Sequence, residues 1–128
     1  MKSILFALLF LLVPKFCISQ LSENDKKIYL DSTWNETTQD NHKYYRIIKD
    51  FYLEKDLYVI YDYYKTGVLQ MQGTSKTKDD ASKEGEFIFY YENGNKKEVT
   101  NYIKSRPNGI CAEWYENGNK KLEGEYIE

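Results

Sequence analysis

Few residues of this chain are of a type that does chemistry. His42 is the only histidine, so no pair of imidazoles can hold a metal, and no Cys/His cluster has the spacing of a zinc site. Cys17 and Cys111 are the only cysteines, and neither stands near a candidate base that would make it a nucleophile. Glu92 and Glu116 recur beside two turns, but a two-carboxylate hydrolase holds its carboxyls about 5–10 Å apart across a cleft, and nothing here implies a cleft. The Asn-Gly pairs precede strand-like rather than helical runs, so they read as turns and not as phosphate loops. Two lysine pairs remain, Lys96-Lys97 and Lys120-Lys121, with an unusual stock of aromatics: 13 Tyr, 6 Phe and 2 Trp in 128 residues. That chemistry is recognition, not turnover. We expect no enzymatic activity, no cofactor and no metal.

The elements that must position these residues are repeats. Gly85-Glu86-Phe87-Ile88-Phe89-Tyr90-Tyr91-Glu92-Asn93-Gly94-Asn95-Lys96-Lys97 returns 24 residues later as Gly109-Ile110-Cys111-Ala112-Glu113-Trp114-Tyr115-Glu116-Asn117-Gly118-Asn119-Lys120-Lys121. A more divergent copy, Tyr63-Tyr64-Lys65-Thr66-Gly67-Val68-Leu69-Gln70, lies upstream, with Gly67 27 residues before Gly94. Asn-Gly between aromatic and β-branched runs signals a two-residue type I′ hairpin, which requires φ > 0 at both Asn93 and Gly94, and again at Asn117 and Gly118. Thr66-Gly67 suits that turn less well, because a β-branched residue resists φ > 0.

Alternation along the strands separates two faces. Tyr61, Tyr63, Ile88, Tyr90, Ala112 and Trp114 form one that carries no charge, and we expect it to be the core. The other carries Ile60, Asp62, Tyr64, Phe87, Phe89, Tyr91, Cys111, Glu113 and Tyr115. It mixes charge with aromatics, so Tyr64, Phe89, Tyr91, Glu113 and Tyr115 are the candidate interaction surface. Lys96, Lys97, Lys120 and Lys121 join them as a second candidate, a basic stripe. Cys111 reads as a small apolar side chain packed in the sheet.

The two gapless copies resemble the variant MORN repeat, a bacterial relative of the membrane-occupation-and-recognition-nexus repeat. Its pattern is roughly Gly, four variable residues, two aromatics, two more residues and Gly. Gly85 to Gly94 and Gly109 to Gly118 match it, and Tyr63 to Gly67 match its second half, with Asp56 roughly where the opening Gly belongs. The resemblance covers about residues 57–128. It implies an all-β antiparallel meander of hairpins that stack to bury a shared face, and it implies no catalytic residue. Some members are named as antitoxin components, and eukaryotic relatives are scaffolds or lipid-binding modules.

The rest of the chain supplies context. Lys2, the apolar run Ile4–Val13, Pro14 and Cys17-Ile18-Ser19 have the order of a secretory signal cleaved after Ser19. A mature chain from Gln20 would hold 16 basic and 20 acidic residues and a single cysteine, so no intramolecular disulfide. Residues 20–42 form a polar N-terminal segment, short-helical or irregular, with Trp34 expected to anchor it on the sheet edge and His42 expected in solvent. Residues 43–128 form the repeat domain. The charged stretch Thr74–Glu84 reads as a solvated loop, and Ser105–Gly109 as a turn between units. The acidic balance disfavours nucleic acid. The reading that follows is a non-catalytic module, secreted or periplasmic, binding protein or an envelope polymer. An antitoxin-like or immunity-like binder is the alternative, and lipid-surface contact through the lysine pairs is a weaker third reading.

Overall fold

The computed structural model describes residues 20–127. The signal peptide expected at residues 1–19, and the export it implies, lie outside them. Eight strands make one antiparallel meander: β1 (Lys26–Leu30), β2 (Tyr44–Ile48), β3 (Tyr58–Tyr64), β4 (Leu69–Ser75), β5 (Gly85–Tyr90), β6 (Lys96–Ile103), β7 (Arg106–Trp114) and β8 (Lys120–Tyr126). Spatial order equals chain order. Strand contacts run only between sequential neighbours, so the sheet is a single layer. No helix occurs among the described residues, and residues 26–30 of the N-terminal segment are a strand that pairs with β2 through Lys26–Ile48 and Leu30–Tyr44. Ile28 and Leu30 place apolar side chains on one side of that strand, and this alternation outweighs its polar flanks.

Three hairpins share one geometry. In the second, the Tyr91 N–H donates to Asn95 O at 2.8 Å and the Gly94 N–H to Tyr91 O at 2.9 Å. Tyr64 with Val68 and Gly67, and Tyr115 with Asn119 and Gly118, repeat the pair. The loops are therefore three residues long and not the two-residue type I′ turns expected from Asn-Gly. Only the glycine has φ > 0: 90° at Gly67 and Gly94, 88° at Gly118. That is the three-residue form in which a glycine in the left-handed region follows the turn. Asn93 and Asn117 act through their side chains instead, their Oδ1 atoms accepting the Asn95 and Asn119 N–H groups. Thr66 is accommodated for the same reason, since no left-handed φ is asked of it. After each loop the register skips one residue, Gln70, Lys97 and Lys121 in turn, and such a bulge adds local twist. The two-residue turn with both φ positive is Lys104-Ser105, at 48° and 65°, where Ile103 faces Arg106. Arg106–Gly109, expected as a turn, thus lies within β7.

The core sits on the face that the alternation of charge assigned to solvent. Ile48, Tyr58, Ile60, Met71 and Phe87 form the buried cluster, with Ile28, Phe51, Phe89 and Tyr102 packed around it. Asp62 is buried among them at 2% exposure, and its charge is what misdirected the assignment. The Arg46 guanidinium straddles its carboxylate, Nε to Oδ1 at 2.7 Å and Nη2 to Oδ2 at 2.8 Å. Nη1 reaches Asp80 at 3.0 Å. Asp80 lies in the 76–84 loop, which folds over this face instead of standing in solvent. Lys83 Nζ lies over the Phe87 and Tyr102 rings, and Lys78 Nζ over Phe51 and Tyr58. The Lys104-Ser105 turn is tied to the same loop, Ser105 N–H to Lys83 O and Ser105 Oγ to Ala81 O. A one-layer sheet has no second sheet to bury its apolar face; here the 49–57 and 76–84 loops serve in its place.

Candidate interaction surface

The opposite face has no such cover, and strand register assembles it. Lys27 faces Ile47, Ile47 faces Tyr61 and Tyr61 faces Gln72. Gln72 faces Ile88, Ile88 faces Val99 and Val99 faces Ala112. One step along lie Tyr29, Tyr45 and Tyr63, with Tyr90 and Trp114 at corresponding places in the later repeats. The centre of this face carries no charge. Ala112 is buried, because a methyl group between Val99 and its neighbours is small enough to be covered by them. The larger side chains are only half-buried. They cover one another in the plane of the sheet: Tyr45 stacks on Tyr63 with centroids 4.9 Å apart, and Tyr61 lies 6.4 Å from Tyr63. His42, expected in solvent, packs on Tyr29 and Tyr45, and Lys27 Nζ sits over the same two rings. Burial pushes the Tyr45 and Tyr63 phenols above their usual range, with neighbouring tyrosines adding to it. Both stay neutral near pH 7 and offer O–H groups on an otherwise apolar surface.

The candidate residues read from the sequence divide between the two faces. Tyr64 and Tyr91 lie on the core face near the turns, and each ties its hairpin to the next. Tyr64 Oη donates to Tyr90 O at 2.8 Å and Tyr91 Oη to Trp114 O at 2.9 Å. Their phenols are thus engaged in joining repeats. Phe89 packs against the buried cluster. Glu113 is half-buried and pairs with Lys121 at 2.9 Å, and Tyr115 is exposed at 53%. The four lysines form no single stripe. Lys96 and Lys120 bracket Trp114 on the open face, 5.8 and 5.9 Å from its ring centre, while Lys97 lies over Tyr91 and Lys121 by Glu113 on the other. The skipped residue after each loop is what splits the pairs. Tyr29, Tyr45 and His42 were missed as surface residues; their strands precede the recognisable repeats, and only register brings them beside Tyr63. Trp34 does anchor the N-terminal segment as expected, stacking on Tyr44 at 4.3 Å. Cys111 is half-buried and unpaired, with its Sγ against Gly124.

Among the described residues no group of three or more His, Cys, Asp or Glu could hold a metal. A one-layer meander of similar hairpins with an open aromatic face defines a β-hairpin repeat module. The comparison with protein families specifies it further: residues 83–104 and 107–128 each match the MORN repeat variant. The C-terminal part of this chain is thus a pair of variant MORN repeats, which coincide with the β5–β6 and β7–β8 hairpins. Such repeats are generally non-catalytic modules that bind proteins or membranes. Neither curated proteins nor solved structures give a significant match to the chain. The β3–β4 hairpin lies outside the family match, but its three-residue loop and skipped residue are those of the other two.

Proposed function

We propose that this chain is a non-catalytic binding module that works outside the cytoplasm and presents its open face to a protein or an envelope polymer. The observation that carries the reading is the uncharged centre of that face, from Tyr45 and Tyr63 to Ile88, Tyr90 and Trp114, over which no strand packs. Contiguous apolar surface of this kind marks interaction sites, and tyrosines supply contact area with little loss of side-chain freedom. The signal-like order of residues 2–19 supports the location. Affinity capture from an envelope extract tests the binding. A partner retained by the wild-type protein should be lost from a Tyr63→Ala/Tyr90→Ala variant that keeps its circular dichroism. Equal retention by both would reject the face. If the retained partner is a toxin, the antitoxin-like role takes over from the envelope role. Intact-mass measurement of the exported protein tests the location: a chain that begins at Gln20 is expected, and one that begins at Met1 in the membrane fraction would overturn it.

A further inference from the structure

The open face carries an aromatic side chain at the same place in three successive hairpins: Tyr63 on β3, Tyr90 on β5 and Trp114 on β7. Register keeps them on one side of the sheet. Tyr61 connects to Ala112 through Gln72, Ile88 and Val99, and the three aromatics stand two residues beyond Tyr61, Ile88 and Ala112. Each lies two strands from the next, about 9.6 Å at ordinary strand spacing. Tyr45 and Tyr29 continue the row across β2 and β1.

The rings do not lie flat. Tyr45 and Tyr63 are 10° from parallel with centroids 4.9 Å apart, about one strand spacing, so they stand on edge to the sheet. Lys27 Nζ covers the Tyr29 and Tyr45 rings, and Lys96 and Lys120 bracket Trp114. A sugar, which stacks on an open aromatic face, finds these faces occupied. The row presents ring edges and hydroxyl groups instead. Tyr64 and Tyr91 use their O–H groups to join repeats, but their neighbours Tyr63 and Tyr90 have no acceptor among the described residues. Gln70 Oε1 is the one buried side-chain polar atom there without a partner, so the Tyr63 and Tyr90 O–H groups reach solvent.

Free donors at this spacing select the backbone that meets them. A helix has its carbonyls bonded internally, and an added β-strand needs a sheet edge, whereas this is a face. A polyproline II helix has no internal hydrogen bonds, so its carbonyls are free, and it repeats every three residues, about 9.3 Å. That repeat matches the two-strand step, so successive turns present the same side to successive aromatics. Charge sets the composition. The row holds Lys27 near one end and Lys96 and Lys120 at the other, all exposed, and no carboxylate. Lys120 has the exposed surface partner Glu123; Lys27 and Lys96 have no acidic partner among the described residues. Glu92 and Glu116 act on the Tyr64 phenol of the core face. Glu86 stands at the far end of β5 from Tyr90, about 13 Å along the strand.

We propose that, with the open face as the binding surface, the row from Tyr63 to Trp114 receives an acidic, proline-rich segment of a protein partner, lying across the strands as a polyproline II helix. Its carbonyl groups accept the Tyr63 and Tyr90 O–H groups, its prolines pack between the ring edges, and its carboxylates meet Lys96 and Lys120.

The probe is a peptide of repeated Asp-Pro-Pro triplets, and the reporters are the indole N–H signals of the two tryptophans in heteronuclear NMR spectra. The peptide should shift the Trp114 signal in a saturable titration and leave that of Trp34, stacked on Tyr44, in place. A peptide of Asp-Gly-Ser triplets, equal in length and charge but flexible, should bind about tenfold more weakly, and so should one of Lys-Pro-Pro triplets. Tyr63→Ala/Tyr90→Ala should abolish the shift. Lys96→Glu, an exposed change, should weaken Asp-Pro-Pro binding about tenfold and strengthen Lys-Pro-Pro binding; it decides alone if the double variant fails to fold. An unmoved Trp114 signal, or equal binding of the Asp-Gly-Ser peptide, would overturn the proposal. So would tighter binding of polygalacturonate, an acidic polymer without amide carbonyls. If capture from envelope extract depends on Tyr63 and Tyr90 while the Asp-Pro-Pro peptide fails, the face stands as a binding surface and the polyproline assignment alone falls. If capture is indifferent to both tyrosines and the peptide fails, both fall.

Discussion

Gly73 is a position where one hydrogen atom separates a packed core from a clash. A Cβ there would lie 2.5 Å from the Phe87 ring, so the ring rests directly on the β4 backbone and is fully buried. Gly73→Ala should therefore cost about 1–3 kcal/mol, the range for overpacking, measured by chemical denaturation. Adding Phe87→Leu should recover part of the loss, which a backbone effect of alanine would not allow. Asp62 is the neighbouring lesson. Burial pushes its carboxyl up while Arg46 pulls it down, and burial prevails. Removing the guanidinium leaves a carboxylate in the core, so Arg46→Met should cost about 3–5 kcal/mol, and Arg46→Met/Asp62→Leu should restore much of it. An aspartate in an aromatic strand reads as a solvent mark from sequence. Only the cross-strand register of Arg46 with Asp62 reveals it as a core residue. Asp25 behaves oppositely. Burial would raise its carboxyl, but Lys49 and the Ser22 and Asp50 N–H groups outweigh that and hold it at about 2 against an ordinary 3.8. Its stabilising contribution is thus full above the unfolded value and is lost as pH falls through about 2. Asp25→Asn should lower stability at pH 7 and flatten the difference from wild type below pH 3, measured by denaturant titration at each pH.

Among the elements, the hairpins were legible and the loop that covers the core was not. Gly67, Gly94 and Gly118 each announce a turn, because a left-handed φ is a local demand that one residue type meets. Loop length and the residue skipped after it are settled by pairing, which is why a two-residue turn was expected where a three-residue one stands. The 74–84 stretch reads as solvent because its charges alternate without a period. The contacts that tie it to the other strands and loops are with residues distant in sequence: Asp80 with Arg46, Lys83 with Tyr102, Lys78 with Phe51. The relative cost of damage follows from this. Gly94 has open space where a Cβ would go, so Gly94→Val meets only backbone strain, about 1–3 kcal/mol. Deleting residues 77–82 removes Asp80 from Arg46 and uncovers the cluster around Phe87, and it should cost more than Gly94→Val. Denaturation midpoints of the two variants give the order. The reverse order would mean that the loop merely spans a gap, for which closure entropy changes by only about 0.6 kcal/mol per doubling of length.

Across the whole molecule, stability is unevenly placed. The buried cluster draws on β2 to β5, Tyr102 of β6 reaches it through Phe87, and β8 contributes no buried residue. In a one-layer meander each strand is held only by its neighbours, so opening can begin at an end and stop part-way. The β1 end is held by residues 31–37 and by Trp34 on Tyr44, whereas the β8 end is held by its ladder to β7. Amide hydrogen exchange should therefore be slowest in β3 to β5, with protection falling through β6 and β7 to β8. Uniform protection across all strands would mean that the sheet opens as one unit, and that the loops over the core bind the last hairpin as firmly as the first.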